Sequence, residues 1–159
     1  MTESLDPTDW AILEEVQRDG RIPFTELARR VSLSASATTE RVRRLESLGV
    51  ITGYRAEVDL ERTGHAVLAV VRLKYPGTRH EPLHRLLAER PEILECLRTT
   101  GDDCYVLRVA ATSMGHLEEI VDALAVFGST TTNLVFSRTL PLRGPRAPRR
   151  AVSPPDGRR

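Results

Sequence analysis

The sequence has only two cysteines and no long apolar run, and these absences exclude several classes of protein. Cys96 and Cys104 lie eight positions apart without a C-x-x-C pattern, which argues against a disulfide framework or a cysteine-rich zinc site. No apolar run reaches the length that a membrane-spanning helix needs. The first ten residues, MTESLDPTDW, have neither the basic region nor the apolar core of a secretion signal. The sequence therefore predicts a cytoplasmic protein with reduced thiols and no membrane partner.

The common motifs of enzymes are also missing. The sequence contains no P-loop, no G-x-S-x-G, no dinucleotide-binding fingerprint and no H-E-x-x-H pattern. Its four histidines, at 65, 80, 84 and 116, do not form a set of metal ligands, and Pro82 interrupts the one pair with helical spacing. We expect surface roles for these histidines, and neither a metal nor a cofactor.

Lysine is almost absent, since Lys74 is the single lysine among 23 cationic residues. The net charge of +1 hides an uneven distribution, with −5 over residues 1–20, +4 over 21–44, −1 over 65–139 and +5 over 140–159. The basic segment 21–44 therefore stands out in a nearly neutral chain. Its position favours a local contact with a polyanion such as DNA.

The first 50 residues predict three short helices. Asp6 is suited to cap the first one and Pro7 to occupy its first position, while Trp10, Leu13 and Val16 recur at three-residue steps and predict a buried stripe. The second helix is predicted at 24–31 and the third at 35–48, with a turn at 32–34, Ser34 as N-cap and Gly49 as terminator. Two helices joined by such a tight turn are typical of a helix-turn-helix.

The third predicted helix has two distinct faces. The inward face carries Thr38, Val42, Leu45 and Leu48, and the outward face carries Ser36, Thr39, Glu40, Arg43 and Ser47. Small hydroxyl side chains allow a helix backbone to approach a groove wall, and the positive end of the helix dipole favours phosphate. This pattern favours a DNA-reading helix over the alternative, a solvated helical hairpin that contacts nothing.

The second half predicts the ferredoxin-like order β-α-β-β-α-β, so the fold class is α+β. The elements are strands at 65–75, 93–101, 104–111 and 130–140, with helices at 82–91 and after Ser113. In the first strand, Val67, Ala69, Val71 and Leu73 point one way while Ala66, Leu68 and Val70 point the other. Because both faces of the sheet look apolar, the open face is expected to pack against a second copy in an isologous dimer. Such a dimer would bind two DNA half-sites about 34 Å apart.

Several motifs in this order resemble the Lrp/AsnC (feast/famine) family of transcriptional regulators. They are "LD..D..IL", "GRI....LA..V.LS" and "RV.RLE..GVI.GY", and the resemblance covers roughly residues 5–140. It implies a winged helix-turn-helix DNA-binding domain at 1–52, a linker strand at 53–64 and a ferredoxin-like effector and oligomerisation domain at 65–140. It also implies a cytoplasmic, nucleoid-associated protein whose dimers assemble into tetramers or octamers. The Pro/Arg-rich end at 141–159 is expected to be a disordered tail, either flexible or attracted to DNA.

These observations assign DNA-binding roles within the helix-turn-helix. Arg43, with Ser36 and Thr39, is expected to read base edges. The expected phosphate contacts are Arg29, Arg30, Ser34, Arg41 and Arg44. The partner is double-stranded DNA.

The turn "TTGDDCY", Thr99 to Tyr105, resembles the effector loop of the family, which implies an amino-acid effector. Asp102 or Asp103 is suited to hold its ammonium group, and Gly101 permits a turn with free N–H groups for its carboxylate. Hydroxyls from Thr130, Thr131 and Thr132 are expected to line the same region. The family often has Asp where this chain has Cys104, which puts one ligand-holding acid in doubt. The alternative is a solvated hairpin turn without a ligand.

Two other functions remain open at this point. An architectural protein would compact DNA without sequence preference or ligand response. Some haem-pathway decarboxylases also resemble this two-domain arrangement, but they dispense with a basic reading helix, and this chain keeps Arg41, Arg43 and Arg44. The pattern favours a transcriptional regulator that is not an enzyme.

Overall fold

A computed structural model describes residues 4–148 of the chain. Within that range the chain divides into two compact units, one formed by residues 4–56 with 141–148 and the other by Glu57–Leu140. Among these residues, no helix is long and apolar enough to cross a membrane. Of the predicted C-terminal tail, residues 149–159 lie outside the described residues.

The first unit contains three helices, α1 at Pro7–Arg18, α2 at Phe24–Arg30 and α3 at Ala35–Ser47. The predicted caps are confirmed: the Asp6 side chain accepts from the backbone N–H of Asp9, and the Ser34 hydroxyl accepts from that of Ala37. The Asp9 carboxylate in turn accepts from the backbone N–H of Asp6, which completes a capping box. These local bonds fix where α1 and α3 begin.

The core of the first unit lies between the three helices. It consists of Ile12, Leu13, Leu27, Val42 and Leu45. Thr38 is buried with them, as predicted, but the prediction for Leu48 was wrong, since its side chain is 44% exposed. Because α3 ends at Ser47, Leu48 is the C-cap residue and leaves the inward stripe. Gly49 then takes a left-handed conformation with φ of 68°, which glycine adopts without strain.

The second unit is a four-stranded antiparallel sheet with two helices, and it confirms the α+β, ferredoxin-like prediction. The strands are β1 at Val67–Lys74, β2 at Ile93–Arg98, β3 at Tyr105–Ala111 and β4 at Ser129–Leu134, and the helices are α4 at Glu81–Glu89 and α5 at Met114–Ala125. The strand order across the sheet is β2-β3-β1-β4. The two central strands, β1 and β3, pair directly, with Val71 opposite Leu107.

The two faces of this sheet differ in character. On the helix-covered face, Val71 and Leu73 of β1 are fully buried among Leu83, Leu107 and Leu124. On the open face, β1 presents half-buried Leu68 and Val70 at one end and exposed Arg72 and Lys74 at the other. The open face is therefore apolar only over part of its length.

Two predicted strands differ from the structure. Residues 53–64, predicted as a linker strand, form no strand, and the last of them form a hydrogen-bonded turn around Asp59 to Gly64. The segment has strand-like side chains, but within the described residues it pairs with no other strand, and a strand needs that ladder. The final strand, predicted to reach residue 140, ends at Leu134, and only Val135 adds one further bond, to Leu68.

Candidate DNA-binding helix and effector loop

The outward face of α3 carries short hydroxyl side chains whose positions are set by local bonds. The Ser34 and Ser36 hydroxyl oxygens lie 3.1 Å apart at the N-terminus of α3. One turn later, Thr39 donates its hydroxyl to the backbone oxygen of Ala35 at 2.8 Å. These contacts keep the side chains close to the helix axis, so the backbone of α3 remains accessible to a large flat partner.

Arg43 lies on this same outward face and is exposed. Within residues 4–148, its guanidinium makes no hydrogen bond or ion pair. An arginine without a protein partner keeps all five N–H donors for an external acceptor, such as the O6 and N7 atoms of guanine.

Arg41 and Arg44 are arranged differently, because both reach back to the start of α1. Arg41 donates to Asp6 Oδ2 at 2.7 Å and to Asp9 Oδ1 at 2.9 Å. Arg44 donates to Asp9 Oδ2 at 2.6 Å. Asp9 is fully buried, so its carboxylate exchanges water for two guanidinium groups. The bond from Arg41 holds the pKa of Asp6 below its usual value.

The arginines of α2 are also paired, with acids on α2 and α1. Glu26 accepts from Arg29 at 2.8 Å and from Arg30 at 2.8 Å, and Arg30 also donates to Glu15 at 2.8 Å. The bonds from Arg29 and Arg30 lower the pKa of Glu26 to about 2. The Arg29 side chain nevertheless remains 74% exposed, so it can exchange its carboxylate for a phosphate without a large desolvation change.

The five predicted arginines thus fall into three environments: without a partner in the described residues, paired with a partly exposed acid, or paired with buried Asp9. Asp9 was missed in the sequence. A signal for it exists, since Asp9 stands three positions before the fully buried Ile12 and four before Leu13, on the inward side of α1. A carboxylate at such a position needs cationic partners, and Arg41 and Arg44 supply them.

The loop between β2 and β3 forms a tight turn. Thr99 donates its backbone N–H to Cys104 at 2.9 Å, and its hydroxyl donates to the backbone oxygen of Asp103 at 2.7 Å. Gly101 has a φ of 97°, a conformation that residues with a side chain rarely adopt. The loop therefore presents its two aspartates at a defined place.

Both aspartates meet cations from β1. Lys74 Nζ lies 3.0 Å from Asp102 Oδ2, and an Arg72 guanidinium nitrogen lies 3.4 Å from Asp103 Oδ2. All four side chains are at least one-third exposed. Arg72 and Lys74 were missed in the sequence, although their alternation with buried Val71 and Leu73 places both on the open face.

The remaining predicted effector residues divide between the two faces of the sheet. Thr131 is paired with Arg72 across β4 and β1, so it lies on the open face beside the two ion pairs. Thr130 and Thr132 are paired with Leu73 and Val71, which face the helices. Cys104 is half-buried, and its thiol points at the backbone oxygens of Leu73 and Tyr75 at 4.0 and 3.7 Å.

A directional chain of hydrogen bonds lies at the base of this loop. Arg98 Nη2 is 3.2 Å from His80 Nε2, His80 Nδ1 is 2.8 Å from the Tyr105 hydroxyl, and that hydroxyl is 3.3 Å from His84 Nε2. Because Arg98 only donates, His80 must accept at Nε2 and donate from Nδ1, which requires a neutral ring. Burial, Arg98 and His84 all lower the pKa of His80. In the described part of the chain, no group of three or more metal-binding side chains comes together.

Comparison with known protein families matches both units. The family described as winged helix-turn-helix DNA-binding matches residues 5–52. The family described as Lrp/AsnC ligand binding domain matches residues 68–144.

Individual relatives agree with both matches. The HTH-type transcriptional regulator LrpC of Bacillus subtilis is 35% identical over 133 residues, which is 84% of this chain and 92% of LrpC. A feast or famine regulatory protein from M. tuberculosis, solved in complex with L-methionine, superposes with a TM-score of 0.84 at 31% identity, over 91% of this chain and 100% of that one. A transcriptional regulator from Neisseria meningitidis, solved in a complex with L-Met, gives a TM-score of 0.81 at 28% identity, over 86% of this chain and 93% of the other.

The winged helix-turn-helix match, the ferredoxin-like sheet and these relatives, which are named as transcriptional regulators, lead to one assignment. The chain belongs to the Lrp/AsnC family of transcriptional regulators, with an N-terminal DNA-binding domain and a C-terminal ligand-binding domain.

Proposed function

We propose that this regulator binds two-fold DNA sites in a sequence-specific manner and that an amino acid bound at the loop between β2 and β3 changes this binding. The observation that carries the DNA part is the exposed guanidinium of Arg43, which is unpaired within residues 4–148 and lies on the α3 face that also carries Ser36, Thr39, Glu40 and Ser47. A helix of this kind fits the major groove, where one arginine can bind a guanine with two bonds.

The roles divide along the helix-turn-helix. Arg43 reads a base edge, with Ser36 and Thr39 beside it, while Ser34 offers the N-terminus of α3 to a phosphate. Arg29 and Arg30 of α2 contact the backbone by exchanging Glu26 for phosphate oxygens. The protein then acts at the nucleoid.

The test is to recover genomic fragments with the purified protein at about 150 mM salt, sequence them, and measure affinity for the enriched site and for random DNA. Arg43→Ala should weaken binding to the enriched site by about 1–3 kcal/mol and affect random DNA less. Arg62→Ala is the matched control, because it removes the same side chain from an 86% exposed position in the other unit. Equal losses on both DNAs would move Arg43 to a backbone role, and uniform recovery of all fragments would support an architectural protein instead.

The effector part of the proposal follows from the charges around the loop. An amino acid carries one ammonium and one carboxylate, and the loop offers acids and bases in alternation: Asp103 beside Arg72, and Asp102 beside Lys74. The ligand would replace these exposed pairs, Asp103 taking the ammonium and Arg72 the carboxylate, with the Thr131 hydroxyl adjacent. Two structural relatives are named as complexes with methionine, which supports an amino acid as the ligand class.

The two-fold part of the proposal concerns the open face of the sheet. Leu68 and Val70 of β1, Val106 of β3 and Leu97 of β2 contribute apolar surface there, and the Leu97 side chain is 52% exposed. A second copy packed on this face would cover that surface and supply a second α3 for the other half-site. Further association into tetramers or octamers would bring effector loops of neighbouring dimers together.

A further inference from the structure

Two arginines of the basic segment that were predicted to contact DNA phosphates bind the first turn of α1 instead. Arg41 and Arg44 lie three positions apart on α3, both bound to the carboxylate of Asp9. At about 100° per residue, Arg41 projects opposite to Arg43, and Arg44 lies on the flank between the two faces. Asp9 accepts these bonds while fully buried.

The arrangement is built from the backbone outward. Asp6 and Asp9 cap each other's backbone N–H groups at 2.8 and 3.1 Å, so local bonds within α1 hold both carboxylates in place independently of the arginines. Arg41 then bridges Asp6 and Asp9, at 2.7 and 2.9 Å. A pre-ordered pair of carboxylates is a stronger arginine partner than a mobile surface acid, since it loses little side-chain entropy on binding.

We infer that Asp9, with Asp6, withdraws Arg41 and Arg44 from the DNA backbone and so limits the sequence-independent affinity for DNA, while Arg43 remains exposed on the reading face. The inference rests on the proposed DNA-reading role of α3. Cations that contact phosphate raise affinity for every sequence by a similar factor, and each one removed from the interface lowers affinity for any DNA without touching base readout. The carboxylates therefore limit sequence-independent binding and leave the discrimination between sequences to Arg43.

The measurement is the dependence of the dissociation constant on salt, for the enriched site and for random DNA, in wild type and Asp9→Asn. Released arginines should steepen the salt dependence on random DNA, so that the change in Kd between 50 and 200 mM salt grows about 3.5-fold for each added phosphate contact. The ratio of random to cognate Kd should stay unchanged, because the released arginines strengthen both complexes by a similar factor. Glu14→Gln is the charge-matched control, since it removes one exposed acid from α1 that holds no arginine in the described part of the chain.

A second substitution separates released arginine from lost negative charge. Adding Arg44→Gln to Asp9→Asn should remove the part of the steeper salt dependence that Arg44 contributes, about one phosphate contact. An effect of the lost negative charge alone would leave the salt dependence as steep as in Asp9→Asn. If Asp9→Asn does not melt cooperatively, Asp6→Asn provides the test, because Asp6 is 45% exposed and its loss frees one bond of Arg41.

Two outcomes would overturn the inference. Equal weakening on both DNAs with an unchanged salt dependence would show that Asp9 only supports the fold. A salt dependence that rises as much in Glu14→Gln as in Asp9→Asn would assign the effect to net charge. Failure of the proposed function looks different, because wild type would then show no preferred site and no dependence on Arg43.

Discussion

At the residue scale, the role of each arginine in the first unit depends on which carboxylate reaches it. Arg43 is exposed and has no partner within residues 4–148, whereas Arg41, two positions earlier and on the opposite side of the helix, bridges two fixed acids. The two residues are chemically identical and stand in the same basic segment. Charge counting along the sequence therefore locates the DNA-binding helix, but it does not separate arginines that read DNA from arginines that hold the helix in place.

The acids of the effector loop give a prediction at this same scale. Replacing both Asp102 and Asp103 by Ala should abolish the binding of L-methionine or whichever amino acid binds wild type, because the ammonium group loses its partners. Calorimetric titration of the purified protein measures this directly. Glu95→Ala is the matched control, since Glu95 pairs with Arg108 rather than with the loop. Unchanged amino-acid affinity in the double variant would place the effector site elsewhere.

At the scale of elements, local chemistry made most boundaries predictable. Asp6 with Pro7 and Ser34 define the starts of α1 and α3, and Ser113 defines that of α5, because their side chains bond backbone groups a few residues away. The linker at 53–64 could not be predicted in the same way. Its side chains favour a strand, yet a strand exists only where another chain segment pairs with it, and that is a long-range property.

The candidate site was predictable to a similar extent. The outward face of α3 follows from helical spacing alone, and the burial of Val42 and Leu45 confirms the opposite face. The pairing of Asp9 with Arg44, 35 positions later, depends on how α1 crosses α3, which no local pattern encodes. The contacts of Arg72 and Lys74 with the effector loop could not be predicted for the same reason, since they join segments that are distant in sequence.

The hydrogen-bond chain at the start of α4 gives a prediction about pH. The lowered pKa of His80 means that the unfolded chain binds a proton more readily than the folded one. Its contribution to stability is therefore complete above the ordinary imidazole pKa of 6.5 and is lost as the pH falls through the lower folded pKa. Thermal melting between pH 8 and pH 5 should show a steeper loss in wild type than in His80→Gln. His65→Gln removes an imidazole outside this hydrogen-bond chain and should melt like wild type. Identical pH profiles for wild type and both variants would contradict the role assigned to His80.

At the scale of the whole molecule, each unit has its own core, and the open face of the sheet is the surface proposed to bind a second copy. Val70→Glu should place a charge at the centre of that face and convert a dimer to a monomer in light scattering or sedimentation. Affinity for a two-fold site should then fall by roughly 10²–10⁴, because two reading helices no longer bind together. Val126→Glu adds the same charge at an 83% exposed position beyond α5 and should leave the assembly intact. A Val70→Glu protein that stays dimeric would exclude this face as the interface.

The scarcity of lysine has a practical consequence for the effector loop. Lys74 is the single lysine of the chain, and its amine lies 3.0 Å from Asp102, with the side chain 53% exposed. Apart from the terminal amine, an acylating reagent therefore meets one primary amine in this protein, and that amine lies at the loop. A fluorophore or an acetyl group on Lys74 reports on the loop, so amine chemistry offers a probe of ligand occupancy that needs no substitution.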